Sequence, residues 1–167
     1  ATVRTAFEIA RTGRPGPVVL DVPKDVQNWE GAFRGEGRLA IPGYRHRLDI
    51  IDSQALSEDR CQEFFSMLAK SERPLIYAGG GVINGNASEA MRALSEAFGV
   101  PVVTTLMGLG CMDTMSPLAM HMLGMHGTAY ANYAVDDCDL LIAMGARFDD
   151  RVAGVPARFA SKALRVL

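Results

Sequence analysis

"PLIYAGGGVINGNASEAMRALSEAFGVPVVTTLMG", residues 74–108, decides the fold. It opens on a short apolar run that ends in Gly79, Gly80 and Gly81. A helical stretch follows, in which Ala90, Met91, Leu94 and Phe98 form an apolar face. Asn86 stands where it can cap the amino end, with Glu89 at the reciprocal position, and Gly99 ends the helix. A second apolar run, "VPVVTTLMG", completes a strand–helix–strand unit. Neither run alternates polar with apolar residues. Both therefore read as buried on two faces, as in a parallel sheet covered by helices.

The same pattern continues in both directions. Upstream, Cys61, Phe64, Phe65 and Leu68 fall at i, i+3, i+4 and i+7, an amphipathic helix beginning after Ser57. Downstream of a long insert, Thr128 opens a helix to about Asp137, and "DLLIAMG" (139–145) is a third strand. A short helix around Pro156–Ser161 leads to "ALRVL" (163–167), a fourth strand. The fold class expected is α/β, a Rossmann-like parallel sheet with helices on both faces.

Residues 1–27 read as a helix, with Val3, Ala6, Phe7 and Ala10 on one face, then a break at "TGRPGP" and a strand, "VVLDV", stopped by Pro23. One helix and one strand cannot bury a core of their own. Residues 28–56 are rich in Gly and Arg without a sustained period, and a loop that long joins domains more often than it sits inside one. The expected organisation is a helix–strand end of one domain (1–27), a linker (28–56) and a second domain (57–167). The sequence stops in a strand, so the expectation is a piece of a longer polypeptide.

Composition bounds the function. Of 167 residues, 49% are hydrophobic and 22% charged, with a net charge of −2, an ordinary mix for a folded soluble domain. Charges of both signs are spread along the chain, which argues against nucleic acid or an anionic membrane as partner. The three cysteines, Cys61, Cys111 and Cys138, are odd in number and widely spaced, as expected of reduced thiols in a cytoplasmic protein. Six of the nine methionines lie between Met107 and Met125, and suit either an irregular core, the first reading, or a ligand surface.

In an open parallel sheet, ligands bind at the carboxyl ends of the strands. Here those ends carry Gly79–Gly81, Thr104–Gly108 and Gly145–Arg147. The glycines fit either a bare strand-to-helix turn or a surface against which a flat or phosphorylated ligand packs. They do not complete a dinucleotide fingerprint, because Asn84 holds the place of the third glycine. In "MLGMHGTAYANYA" (122–134), Gly124 and Gly127 bracket Met125 and His126 just before a helix start. His126 is either a buried histidine bonded to backbone or part of an anion site at the helix end. In "AMGARFDDRVAG" (143–154), adjacent aspartates on a turn point in different directions and make a poor acid/base dyad. No further carboxylate or histidine stands nearby for a metal. Arg147 and Arg151 read as anion holders, with at least one of Asp149 and Asp150 orienting them; the alternative is a solvated charged turn.

Five strings together, "GRPGPVVLDVPKDVQ", "PLIYAGGGV", "VPVVTTLMGLG", "HMLGMHGTAYANYAVDDCDLLIAMGARFDDRVAG" and "FASKALRVL", resemble the catalytic large subunit of the acetolactate synthase (acetohydroxyacid synthase) family. The resemblance covers nearly the whole chain. It implies a thiamine-diphosphate enzyme that condenses two pyruvates to 2-acetolactate with loss of CO₂, in branched-chain amino acid biosynthesis. Residues 1–27 would end the pyrimidine-binding domain, and 57–167 would form most of a central FAD-binding domain. By the same resemblance, FAD is lined by Gly79, Gly80, Gly81, Thr105, Leu106, Met107, Leu123, Gly124, Met125, His126, Gly145, Ala146, Arg147, Asp149 and Val152. Met125, Asp150 and Arg151 would face the substrate channel, Arg151 taking a substrate carboxylate. Arg45 and Arg47 would stand in for linker residues that help hold FAD. No GDG metal motif is present. Thiamine diphosphate and Mg²⁺ are therefore expected on other segments, and no catalysis from this one alone. The implied partners are small 2-oxo acids and, for the full-length protein, a homodimer or tetramer with a regulatory small subunit. Competing readings are the central domain of glyoxylate carboligase or pyruvate oxidase, or a nucleotide-binding module without chemistry.

Overall fold

A computed structural model describes residues 2–32, 41, 43, 49, 56–149, 152–155 and 158–166. The chain divides into two units, Ala1–Ser57 and Glu58–Leu167.

In the first unit, α1 spans Thr2–Arg11 and α2 spans Lys24–Gln27. Val3 and Phe7 of α1 are exposed, and no residue of this helix is buried. The strand expected at "VVLDV" is absent: residues 18–22 carry no strand, and Val19 is exposed. A strand exists only as one side of a hydrogen-bonded pair, and no described residue pairs with this segment. Instead Pro23, with its fixed φ of −58°, leads directly into α2.

The second unit runs α3 (Glu58–Lys70), β1 (Pro74–Ala78), α4 (Gly80–Asn84), α5 (Ser88–Phe98), β2 (Val102–Thr104), a 3₁₀ turn (Leu106–Gly108), β3 (Ala119–Met122), α6 (Ala129–Asp137), β4 (Leu140–Met144) and β5 (Leu164–Val166). The five strands form one sheet in the order β3-β2-β1-β4-β5, every pairing parallel. The chain builds outward from β1 through β2 and β3, then returns to lay β4 on the other side of β1. This is the strand order of a doubly wound sheet, with its switch point between β1 and β4.

The continuous apolar runs are explained by cover on both faces. Ile76, Ala78, Val102, Leu140 and Ile142 face one layer with Leu68 of α3 and Met91 of α5. Leu75, Tyr77, Val103 and Leu141 face the other with Ala131 and Val135 of α6. Cys111 lies in the first layer and Cys138 in the second, so the sheet itself separates these two thiols.

Helix ends follow local chemistry. Thr128 caps α6, its Oγ1 accepting from the Ala131 amide at 3.2 Å. Gly99 closes α5 in the left-handed conformation, φ 64°. Asn86 does not cap α5. It holds a left-handed φ of 52°, and the helix starts two residues later, with Ala87 at the cap position. The insert after β2 holds a strand the sequence did not predict. β3 is short, half-buried and irregular: its register on β2 shifts between Val102 and Thr104, and His121 has a φ of 61°. Of the helix expected around Pro156–Ser161, the described residues 158–161 are turns; Pro156 and Ala157 lie outside the described residues.

At the amino edge of the sheet, Asp139 ties three segments together. Its carboxylate accepts from the Ser71 hydroxyl and from the amides of Glu72 (2.8 Å) and Arg73 (3.0 Å). Its own carbonyl accepts from Leu164 at the start of β5. The Ser71 hydroxyl, with the two amides, holds this carboxyl below the ordinary range. Asp139→Ala is therefore expected to cost ~1–2 kcal/mol at neutral pH, read by urea unfolding. Because folding lowers the pKa, the contribution is present above the unfolded value of ~3.9 and lost as pH falls through the folded one. The gap between wild type and variant should close in that acid window.

Candidate functional site

The exits of β1 and β4 meet backbone to backbone. The Gly79 amide donates to Met144 O and the Gly81 amide to Gly145 O, both at 2.9 Å. A Cβ added at Gly79 would lie 2.3 Å from Gly145 O, and one at Gly81 would lie 2.6 Å from Gly145 Cα. Gly145 meets the same obstacle in reverse and has a φ of 57°. The space freed by these three missing side chains is thus filled by neighbouring chain. Gly108 extends the joint to β2, since its Cβ would fall 2.5 Å from Ala78 O. Gly80 of the triplet has more room, its nearest neighbours being Met107 Cβ at 3.0 Å and Met107 O at 3.2 Å. The glycines act first by drawing three strand exits together at the switch point, where ligands of such sheets bind.

Above this joint stands the charged turn. Arg147 projects outward, and its Nη2 lies 3.0 Å from Asp149 Oδ2. From below, the buried Tyr77 hydroxyl donates to the Arg147 carbonyl at 2.9 Å. The Tyr77, Phe148 and Phe159 rings pack on one another, with centroids 5.6–6.2 Å apart. Burial, reinforced by Asp149, pushes the Tyr77 phenol up to about 12. Asp149 also anchors the next turn, its carbonyl accepting from the amides of Val152 and Ala153. Asp149 thus pairs with Arg147, an arrangement that fits either an oriented anion holder or a solvated charged turn. The pair is largely solvated, so its value lies in geometry rather than stability. Asp150 and Arg151 lie outside the described residues, as do Arg45 and Arg47.

The β2 and β3 exits flank the joint. Thr105 Oγ1 accepts from the Gly108 amide at 3.0 Å, which closes the 3₁₀ turn and leaves Leu106 and Met107 exposed. Leu123 at the end of β3 donates its amide to Thr104 O, linking this exit to β2. Asn132 of α6 then shapes the loop: it accepts from the Gly124 amide at 2.9 Å and donates to the carbonyls of Gly124 and Thr128, each at 3.1 Å. Gly127 lets the loop pass close, its Cβ position being only 2.4 Å from Met122 O. The outcome is that Met125 and His126 stand exposed, so His126 is not a buried core histidine.

The expected residues separate into two groups. Leu106, Met107, Met125, His126 and Arg147 are displayed at the carboxyl edge. Leu123 is core, and Ala146 and Val152 pack against that same layer. The methionine cluster divides similarly. Met112 is buried and Met120 and Met122 are half-buried, but Met107, Met115 and Met125 are exposed, which corrects the reading of the cluster as core filler. Tyr77 and Asn132 are site-shaping residues that sequence reasoning missed. Their only signal is a phenol inside an aliphatic strand and an amide in the first turn of an alanine-rich helix. Among the described residues, no group of three or more His, Cys, Asp or Glu is placed to hold a metal, and no helix is long and apolar enough to cross a membrane.

Comparison with known proteins adds the family. Residues 61–167 match the model for the central domain of thiamine pyrophosphate enzymes. Acetolactate synthase 2, chloroplastic, of Nicotiana tabacum is 47% identical over 161 residues, 96% of this chain and 23% of its own length. A probable acetolactate synthase large subunit of Methanocaldococcus jannaschii is 49% identical over 170 residues, 97% of this chain and 27% of its own. The acetolactate synthase large subunit of Parasynechococcus marenigrum is 48% identical over 166 residues, 96% of this chain and 25% of its own. The chain thus spans about a quarter of the length of these relatives.

Two outcomes follow from the joint and the phenol. Gly79→Ala should destabilise by ~2–4 kcal/mol and lower the thermal midpoint by about 10 °C or more, because rigid backbone must yield. Gly80→Ala should cost clearly less, and equal losses at the two positions would show that the exits are not joined as described. For Tyr77, folding raises the pKa of an acid, so its contribution is whole below the unfolded value near 10 and lost as pH climbs toward 12. The stability advantage of wild type over Tyr77→Phe should shrink across that interval in alkaline unfolding curves.

Proposed function

Because the chain belongs to the thiamine pyrophosphate enzymes, whose central domain it carries, we propose that it is the flavin-binding middle portion of an acetolactate synthase catalytic subunit. One observation carries this reading: likeness to acetolactate synthases at 44–49% identity along nearly the whole chain. The full-length protein then condenses two pyruvates to 2-acetolactate and CO₂, a step toward branched-chain amino acids. Thiamine diphosphate is the electron sink of that chemistry. It and Mg²⁺ belong to other domains, consistent with the lack of a GDG motif in this chain.

The displayed residues fit FAD. A flavin nucleotide offers a flat apolar ring and an anionic diphosphate. The carboxyl edge offers exposed Leu106, Met107 and Met125, and a guanidinium braced by Asp149. His126 is displayed with them, and Gly79–Gly81, Thr105, Leu123, Gly124, Gly145, Ala146 and Val152 supply the frame beneath. Bound there, FAD undergoes no net redox change in the condensation and serves to organise the site. Arg147 meets the flavin nucleotide, and Arg151 meets the carboxylate of an incoming 2-oxo acid, with Met125 and Asp150 along its path. A planar guanidinium suits both tasks, since it donates two parallel bonds to one anion. The words "large subunit" in the names of two relatives support a catalytic subunit that partners a regulatory small subunit; the full-length assembly proposed is a homodimer or tetramer with that subunit, and the unpaired thiols suit the cytoplasm.

The full-length protein should form acetolactate from pyruvate, whereas the 167-residue chain alone should form none. Titration with FAD, followed by flavin absorbance and fluorescence, tests the cofactor directly. In the full-length protein, Arg151→Ala should raise the KM for pyruvate at least about tenfold with flavin retained, while Arg147→Ala should release flavin. Flavin loss from Arg151→Ala with an unchanged KM would show the two arginines to be assigned the wrong way round.

A further inference from the structure

Tyr77 is the one polar side chain of β1, and it is fully buried. A phenylalanine would fill almost the same space between Phe148 and Phe159. What the hydroxyl adds is reach: it crosses from β1 to the turn after β4 and donates to the carbonyl of Arg147. Arg147 is thereby held twice, its backbone from beneath by a phenol and its guanidinium from outside by Asp149. Each hold constrains what the other leaves free. The ion pair alone would let the turn swing, and the hydroxyl alone would let the long side chain sample its rotamers. An exposed ion pair contributes little to stability, so two independent restraints on one arginine point to orientation as their use.

We propose that Tyr77 is a positioning residue for cofactor binding: its buried hydroxyl fixes the Arg147 carbonyl and so aims the guanidinium at the anionic part of the flavin nucleotide. This inference rests on Arg147 being a flavin holder. The raised pKa keeps the phenol protonated, hence a donor, throughout the physiological range. Fully buried, Tyr77 is not placed to touch flavin or substrate. It acts through the turn, as supporting groups behind a binding residue do.

The test is a double-mutant cycle in the full-length protein stripped of flavin, with FAD affinity read by flavin fluorescence. Tyr77→Phe keeps the ring and should raise the Kd for FAD about five- to tenfold. Arg147→Ala should raise it further, and the double variant should bind no more weakly than Arg147→Ala alone, since a hold on an absent guanidinium has nothing left to aim. An unchanged Kd in Tyr77→Phe, or an effect that adds in full to that of Arg147→Ala, overturns the proposal. If Arg147→Ala leaves FAD affinity unaltered, the flavin role of Arg147 fails and the cofactor role of Tyr77 falls with it. Hydrogen exchange separates that failure from one in Tyr77 itself. The Val152 and Ala153 amides, bonded to the Asp149 carbonyl, should exchange at least about fivefold faster in Tyr77→Phe if the hydroxyl fixes the turn. Unaltered exchange removes the hold altogether.

Discussion

The contact between the exits of β1 and β4 is the constraint on which the rest depends. Gly79 and Gly81 lie against Gly145 so closely that no side chain fits between them. In a doubly wound sheet these two strands run side by side while their connections leave toward opposite faces, which opens a crevice between them. Here the floor of that crevice is sealed by main chain, with amide-to-carbonyl bonds at 2.9 Å. Two of the displayed residues take their position from this floor: Met107 through its approach to Gly80, and Arg147 two residues past Gly145. A rigid backbone base under adaptable methionines and a pinned arginine combines a fixed frame with a surface able to fit a large flat ligand.

Much of the architecture was legible because the decisive signals are local. Thr128 caps a helix through its own hydroxyl, Gly99 ends one because its φ is positive, and unbroken apolar runs such as 75–78 and 140–142 require cover on both faces. The failures share the opposite property. "VVLDV" has the composition of a strand, but pairing is decided by a partner elsewhere. β3 lacks that composition, with no β-branched residue in "AMHM", yet is recruited by the open side of β2. Asn86 is chemically able to cap α5 but is drawn into a left-handed turn instead.

The site shows the same division. The residue types at the strand exits implied a carboxylate beside an arginine, and the Arg147–Asp149 pair is present. The glycines were legible as a close approach, but not as an approach of chain to chain. Burial sorted the rest: Leu123 turned inward while Met125, two residues on, turned outward, and no spacing rule distinguishes them. Tyr77 and Asn132 were invisible because their bonds span 70 and 8 residues and involve backbone carbonyls, which carry no sequence identity.

The irregularity of β3 has a consequence for behaviour in concentrated solution. Among the described residues it is the terminal strand on its side of the sheet, the place where an open ladder of amides and carbonyls invites another polypeptide to add itself. The register shift on β2 and the left-handed twist of His121 break that ladder within four residues. A straight, regular β3 would offer a template for edge-to-edge growth. The kinked one offers a poor match, and so helps a sheet of otherwise uniformly apolar strands to stay separate from its neighbours.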